Sequence, residues 1–186
     1  MKKSILFLAS LLVLATSCYE DYVRDFDYSG ALMAYQYDLG TFVLDEGEQF
    51  KVTVALTGVM QNEVDRNVEL ILEPTLLEGS LANLTNSGLT SGEYVAREIK
   101  AANLTQMTLL PDNYYTVEGQ SGLCIKKGTH TASVTLRATE DMRNDPKAFA
   151  PYYALGFKIA SADVDQIVEG KDFAVIAVKC ENRFYG

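Results

Sequence analysis

The sequence predicts an all-β fold in the form of an antiparallel β-sandwich. Apolar residues recur with a period of two, rather than 3.6, from Thr41 onward. Short turn sequences separate the alternating segments: DEGE, LTGV, VEGQSG, KKGT and VEGKD. The chain has 186 residues, of which 48% are hydrophobic, so one such domain can bury a substantial core.

Four segments carry the alternation expected of half-buried strands: EQFKVTVALTG, NVELILEP, HTASVTLRAT and YALGFKIASA. Their expected inward residues are Phe50, Val52, Val54 and Leu56, then Val68, Leu70 and Leu72, then Ala132, Val134, Leu136 and Ala138, and finally Leu155, Phe157 and Ile159. A fifth segment, DFAVIAVKCEN, is apolar on both faces. Such a segment favours a central strand that is covered on both sides.

Two regions interrupt the strand pattern. Residues 75–111 form a long irregular insertion, in which SGEYVAREIKAANL favours a short helix beginning near Ser91 and Glu93. Residues 140–152, EDMRNDPKAFAPY, are expected to form a loop with one helical turn after Asp145. Loops of a sandwich often carry its function, so both regions are candidates for a site.

The N-terminus has the three parts of an export signal. Lys2 and Lys3 precede an apolar run, Ile5 to Ala15, that is too short to span a bilayer, which takes about 20 apolar residues. Small residues then lead directly to Cys18. This arrangement resembles the lipobox of bacterial lipoproteins, although Ala15 stands where leucine is usual. A plain secretory leader followed by an unrelated cysteine is the alternative.

The predicted organisation is a lipoprotein signal peptide at residues 1–17, an acidic lipid-anchored tether at 18–28 and a β-sandwich domain at 29–186. Each buried CH2 of an acyl chain contributes roughly 0.8 kcal/mol, so a multiply acylated Cys18 would hold the protein to a membrane without a spanning helix. The acidic strip behind Cys18 resembles the signal that sends Bacteroidetes lipoproteins to the outer face of the outer membrane. We therefore expect a cell-surface location, with a simple solvated spacer as the alternative.

The net charge of the chain argues against one class of partner, and its cysteines allow one disulfide. The formal net charge of −9 argues against nucleic acid, whose phosphates require clusters of Lys and Arg. Besides Cys18 the chain has Cys124 and Cys180. An exported protein can form a disulfide, so these two residues either make one bridge or remain separate thiols; alternation turns Cys180 inward and Cys124 outward.

No reactive constellation is visible in the sequence, and we predict neither catalysis nor a cofactor nor a metal site. His130 is the single histidine, whereas a catalytic triad or a histidine-rich metal site needs more. Two acidic clusters are candidate calcium sites, one at Asp163 and Asp165 and one at residues 141–145. Neither supplies the six to eight oxygens that calcium takes, so solvated loops are the favoured interpretation.

Aromatic residues provide the candidate ligand-binding positions. The chain has eleven tyrosines and no tryptophan, and tyrosine offers an apolar ring with a polar tip. Tyr114 and Tyr115 point to opposite faces if their segment is extended, as do Tyr152 and Tyr153, so one of each pair should pack in the core. We select Tyr94, Tyr115 and Tyr152 as candidates. The alternative is that these rings only support the sandwich.

Several segments together resemble one family: CYEDYVRDFDYSG, TFVLDEGEQFKVTVALTGV, LPDNYYTVEG, IKKGTHTASVTLRA, YALGFKIASADVDQIVEGKDF and AVIAVKCEN. It is the N-terminal domain of Bacteroidetes surface lipoproteins of unknown function, which is also found before the catalytic barrel of endo-beta-N-acetylglucosaminidase-like family 18 glycoside hydrolases. The resemblance implies an immunoglobulin-like β-sandwich, often encoded with glycan-import machinery, and no catalytic residues. Family members commonly continue into a second domain.

The function predicted from these features is a non-catalytic surface lipoprotein module of a glycan-acquisition system. It would bind glycan or position partner domains. Expected partners are the membrane, through acylated Cys18, and a glycan or outer-membrane glycan-import proteins. A structural or protein-interaction module without glycan affinity is the alternative, and a glycoside hydrolase is the least favoured one.

Overall fold

A computed structural model describes residues 28–182. The predicted signal peptide, Cys18 and the tether as far as residue 27 lie outside the described residues. The strands are β1 Gly30–Met33, β2 Tyr37–Leu44, β3 Gln49–Thr57, β4 Arg66–Leu72, β5 Thr108–Leu109, β6 Tyr115–Glu118, β7 Cys124–Ile125, β8 Thr131–Ala138, β9 Tyr153–Ala162, β10 Gln166–Ile167 and β11 Phe173–Asn182. The α-helices are α1 Ser80–Leu84, α2 Glu93–Ala101 and α3 Glu140–Asn144. Single 3-10 turns occupy Pro74–Leu77, Asp112–Tyr114 and Pro146–Phe149.

The strands form two sheets that pack face to face, which confirms the predicted all-β sandwich. The first sheet has the order β10-β1-β3-β8-β6, and the second has the order β2-β11-β9-β4-β7, with β5 added beside β9. Most neighbouring strands are antiparallel, as predicted. Three pairs are parallel: β1 with β10, β2 with β11 and β5 with β9. The parallel pairs join strands that are distant along the chain, so turn sequences could not reveal them.

The main core lies between the two sheets and follows the predicted alternation. The inner surface of the first sheet carries five buried residues from two adjacent strands: Val52, Val54 and Leu56 of β3, and Val134 and Leu136 of β8. The inward residues predicted for β9 are buried as well. One prediction is wrong. Leu72 is exposed because β4 ends there, at the margin of the sheet, after Val68 and Leu70 have packed inside.

The 75–111 insertion builds a second apolar layer on the outer face of the second sheet. Its helices bring Leu84, Val95 and Ile99 against Val175 and Ala177 of β11. The predicted short helix is present as α2, beginning at Glu93. This layer explains why β11 is apolar on both faces: it is central, between β2 and β9, and its two faces pack on different cores.

Cys124 and Cys180 do not form a disulfide. Cys124 and Cys180 are free thiols, and Cys180 is buried in the main core while Cys124 is partly exposed, as alternation indicates. Of the two possibilities left open by the sequence, the structure has separate thiols.

Within residues 28–182, no helix is long and apolar enough to cross a membrane.

Candidate functional site

The described chain enters the sandwich at one end, called here the N-terminal end, and leaves it at the other, called the C-terminal end. At the N-terminal end, Ser29 and Gly30 enter beside Thr57, the last residue of β3, and a Cβ on Gly58 would meet the Tyr28 carbonyl oxygen at 2.1 Å. At the C-terminal end, Asn182 pairs with Leu44. The nine residues of β3 run from one end to the other, which corresponds to roughly 27 Å at about 3.3 Å per residue.

An open cleft lies at the C-terminal end of the sandwich, between the Asp112–Tyr114 turn and α3. It has a volume of about 450 Å³. Its lining residues are Asn113, Tyr114, Asp141, Asn144, Asp145 and Pro146. We call this feature the Tyr114 cleft. It combines one half-buried aromatic ring with two amides and two carboxylates, which is a mixed apolar and polar surface.

Local sequence explains why the first wall of the cleft is rigid. Pro111 favours a turn, and the Tyr114 amide donates to the Pro111 carbonyl at 2.9 Å, which closes it. Thr139 then fastens this turn to the start of α3. Its amide donates to the Tyr114 carbonyl at 3.0 Å, and its hydroxyl donates to the Asn113 carbonyl at 2.7 Å. The two walls are therefore joined by backbone-directed hydrogen bonds, and the cleft is preformed.

Asp145 accepts three hydrogen bonds at the base of the cleft. The hydroxyls of Tyr153 and Tyr114 both donate to its Oδ2, at 2.5 and 3.3 Å, and the Lys147 amide donates to its Oδ1 at 2.9 Å. The hydrogen bond from Tyr153 is the main cause that holds the pKa of Asp145 below its ordinary value. Burial and the same carboxylate raise the pKa of Tyr153, so its hydroxyl stays a donor. The charged carboxylate thus fixes the Tyr114 ring.

The rim of the cleft keeps hydrogen-bonding capacity for a ligand. The Asn113 side-chain nitrogen, Nδ2, donates to Asp141 Oδ2 at 2.7 Å, which leaves the other Asp141 oxygen and the Asn113 side-chain oxygen as acceptors. The exposed side-chain amide of Asn144 has no hydrogen-bond partner among residues 28–182. An apolar ring with amide and carboxylate groups at its edge can bind a polyhydroxylated molecule through stacking and hydrogen bonds.

Of the three tyrosines selected from the sequence, Tyr152 packs on Tyr153, whose hydroxyl donates to Asp145. It is half-buried, with its ring edge-to-face on Tyr153 at 5.0 Å between centroids, and Lys147 Nζ sits 4.9 Å from its centroid. The expectation that Tyr115 presents its ring to a ligand is wrong, because its side chain is 7% exposed and packs in the main core. Its neighbour Tyr114 is the ring that reaches the cleft.

Tyr94 lies on a different face from the cleft, on α2 over the outer face of the second sheet. It is 46% exposed and lies between two cations, with Arg97 at 5.2 Å and Lys179 at 5.5 Å from its ring centroid. Lys179 Nζ also contacts Glu98 and Glu181. Burial alone would lower the pKa of Lys179, but the hydrogen bonds with Tyr94 and Glu98 outweigh it and raise the pKa. The structure therefore separates Tyr94 from Tyr152. A role in ligand binding stays a prediction for both.

The other polar candidates are occupied by protein groups. Asp163 accepts hydrogen bonds from the amide and side chain of Asn67, and Asp165 accepts them from Ser29. These bonds tie loops together at the N-terminal end. His130 is exposed at the head of β8, where its ring is 3.3 Å from the Val59 carbonyl. No group of three or more His, Cys, Asp or Glu side chains within residues 28–182 is placed to hold a metal ion.

Sequence reasoning missed Asn113 and Tyr114 as parts of a site. The signal was present in the segment PDNYY, because Pro-Asp-Asn initiates a turn and a turn exposes the side chains at its tip. It could not show that Thr139 and Asp145, more than 20 residues later, would complete the other wall.

Comparison with domain families identifies the fold's relatives. A family model described as a "-like, N-terminal domain" matches residues 22–166. The chain belongs to this family of N-terminal domains. The match covers most of the chain and confirms the resemblance found in the sequence. No curated protein matches the chain.

Two solved structures from Bacteroides ovatus share the fold. A Bacteroides ovatus protein of unknown function is 20% identical, with a TM-score of 0.60 over 83% of this chain and 53% of that one. A multidomain Bacteroides ovatus protein including DUF1735 is 11% identical, with a TM-score of 0.52 over 86% of this chain and 47% of that one. EndoBT-3987 of Bacteroides thetaiotamicron, solved with a Man5GlcNAc product, is 17% identical over 81% and 30%, with a TM-score of only 0.42. The domain spans about half the length of the first two.

Proposed function

We propose that this domain is a non-catalytic, lipid-anchored surface module that binds glycan at the Tyr114 cleft as part of a glycan-acquisition system. The observation that carries the proposal is the composition of the cleft: one accessible aromatic ring, two amides and a free carboxylate oxygen in a preformed open depression. Sugars offer an apolar C–H face and a ring of hydroxyls, so they match both parts of that surface.

The chemistry of the cleft favours binding over catalysis. Asp145 is held ionised by three hydrogen bonds and cannot act as a general acid near neutral pH. A glycosidase pair needs one carboxyl with a raised pKa beside one that is ionised. Asp141 lies on the exposed rim of the cleft, where its Oδ1 can accept a hydrogen bond from a ligand. The proposal therefore assigns the carboxylates a role as hydrogen-bond acceptors.

The test is a glycan array followed by calorimetry with residues 19–186, which contain every described strand and helix. We expect saturable binding to one glycan class. Tyr114→Ala should weaken this binding by more than about tenfold, because it removes the stacking surface. Since Tyr114 also packs on Tyr153, at 5.6 Å between centroids, Asn144→Ala provides a second variant that removes only an exposed side chain.

Two matched controls make the result interpretable. Tyr35→Ala removes a ring that is 56% exposed elsewhere, and Gln106→Ala removes an exposed amide on the insertion. Both should bind like the unmodified protein. If no glycan binds to folded protein, or if the controls lose binding as strongly as the cleft variants, glycan recognition at this cleft is refuted.

A second candidate function is the positioning of a following domain. It is favoured by the path of the chain, which enters the sandwich at Ser29 and leaves it at Asn182 at the opposite end. A module with this path would act as a spacer of roughly 27 Å between a membrane tether and whatever follows. The two functions are compatible, since the Tyr114 cleft lies at the far end.

A further inference from the structure

We infer that the Tyr114 cleft selects neutral glycans and rejects those that carry carboxylate or sulfate groups. This inference rests on the proposed glycan-binding function and adds the class of sugar that the cleft accepts. It follows from the charges around the cleft, where acidic groups outnumber cations.

The lining itself contributes two carboxylates, Asp141 and Asp145. Asp145 stays ionised because Tyr153, Tyr114 and the Lys147 amide all donate to it. Asp141 accepts one hydrogen bond, from the Asn113 side chain to its Oδ2, which leaves Oδ1 as an acceptor. A neutral sugar hydroxyl can donate to this oxygen, whereas an anionic group cannot.

Further acidic residues lie on the elements that form the two walls. Asp112 is exposed at the start of the Asp112–Tyr114 turn, and Glu140 is exposed at the start of α3. Like charges within a few ångströms of an anionic ligand repel it, and the effect is largest at low ionic strength.

The nearby cations offset this field only in part. Arg143 of α3 is paired with Glu48 at 2.7 Å, so its charge is neutralised at the β2–β3 turn. Lys147 sits over the Tyr152 ring, 4.9 Å from its centroid, rather than in the lining of the cleft. No arginine or lysine lines the Tyr114 cleft within the described part of the chain, whereas sites for acidic sugars require such donors to pair with the anion.

The experiment compares neutral and acidic members of matched glycan pairs, again with residues 19–186. The probes are N-acetyllactosamine against its sialylated form, and galactose oligomers against galacturonate oligomers. We expect each neutral member that binds to do so at least about tenfold more tightly than its acidic partner at low salt. The gap should narrow at high salt, because the repulsion is screened.

Charge variants outside the lining identify the cause. Asp112→Asn combined with Glu140→Gln should strengthen binding of the acidic members severalfold and leave the neutral members unchanged, since neither side chain lines the cleft. Glu169→Gln, an exposed position in the β10–β11 turn at a distance from the cleft, is the control and should change neither. Equal strengthening by Glu169→Gln would contradict a local effect.

The outcomes separate this inference from the function beneath it. An acidic glycan that binds as tightly as its neutral partner, with Tyr114→Ala abolishing both, overturns the charge selection but leaves glycan binding in place. Absence of binding by every member overturns both. Measurements in EDTA and with added calcium exclude a bridging cation: acidic glycans that bind only with calcium would also overturn the inference.

Discussion

Asp145 shows how one side chain can organise a loop that the sequence leaves irregular. It lies between α3 and the Pro146–Phe149 turn, and it accepts from groups on three different elements: Tyr114, Tyr153 and the Lys147 amide. Hydrogen bonds to a carboxylate are stronger than those between neutral groups. The Asp145 carboxylate therefore connects the base of the cleft to β9, through its hydrogen bond from Tyr153.

This arrangement predicts a pH-dependent contribution to stability. The pKa of Asp145 in the folded protein lies below its ordinary value of 3.8, mainly because Tyr153 donates to it. A lowered carboxyl pKa stabilises the fold above the unfolded-state value and loses that contribution as the pH falls through the folded-state value. Asp145→Asn should therefore be less stable than the unmodified protein at pH 7, and the difference should shrink toward pH 3.

Urea denaturation at a series of pH values measures this effect. Asp65, Glu73 and Asp165 also have lowered pKa values, so the variant will keep part of the acid sensitivity. Glu169→Gln serves as the control, because this exposed carboxylate takes part in none of these networks. A stability difference for Asp145→Asn that is constant from pH 7 to pH 3 would contradict the role assigned to the charge.

At the scale of elements, β11 connects the two apolar layers of the molecule. Ala174, Ile176 and Val178 face the main core, and Val175 and Ala177 face the layer formed by α1 and α2. The 75–111 insertion is thus more than a loop on the surface. It covers one face of the second sheet, which would otherwise expose these residues to water.

The second layer should therefore contribute measurably to stability. Ile99 of α2 is 1% exposed and packs in this layer. Ile99→Ala should lower the free energy of unfolding by about 2–4 kcal/mol, because it removes buried methyl groups and leaves a cavity. Lys100→Ala, at the next and exposed position of the same helix, should change it by less than about 0.5 kcal/mol. Equal effects of the two substitutions would mean that α2 is not part of the folded core.

At the scale of the whole molecule, the path of the chain sets the orientation that we propose. The chain enters the sandwich beside Thr57, the last residue of β3. It leaves beside Leu44, the last residue of β2, which lies at the opposite end of the sandwich. A protein anchored through Cys18 would then present the Tyr114 cleft on the side away from the lipid. The proposed binding site and the exit of the chain share that distal end.

Fluorescence energy transfer to acceptor lipids tests this orientation on vesicles that carry the N-terminally lipidated protein. A donor at Lys127→Cys, in the β7–β8 turn, should transfer more efficiently than one at Gln49→Cys, at the start of β3, because the two ends are roughly 27 Å apart. Cys124→Ser removes the partly exposed thiol from both variants, and burial, which raises the pKa of Cys180 to about 11, protects the other one. Equal transfer from the two positions would contradict a distal cleft.

Sequence patterns alone predict the fold class, most inward residues of the long strands, the central place of β11 and the existence of α2. These features are local, because alternation and helix-start signals depend on neighbouring residues. Three features became visible only in the folded chain: the parallel pairing of β2 with β11, the burial of Tyr115 in place of Tyr114, and the closing of the cleft by Thr139 and Asp145. Those contacts join residues that are far apart along the chain, and no local pattern encodes which distant groups a side chain will meet.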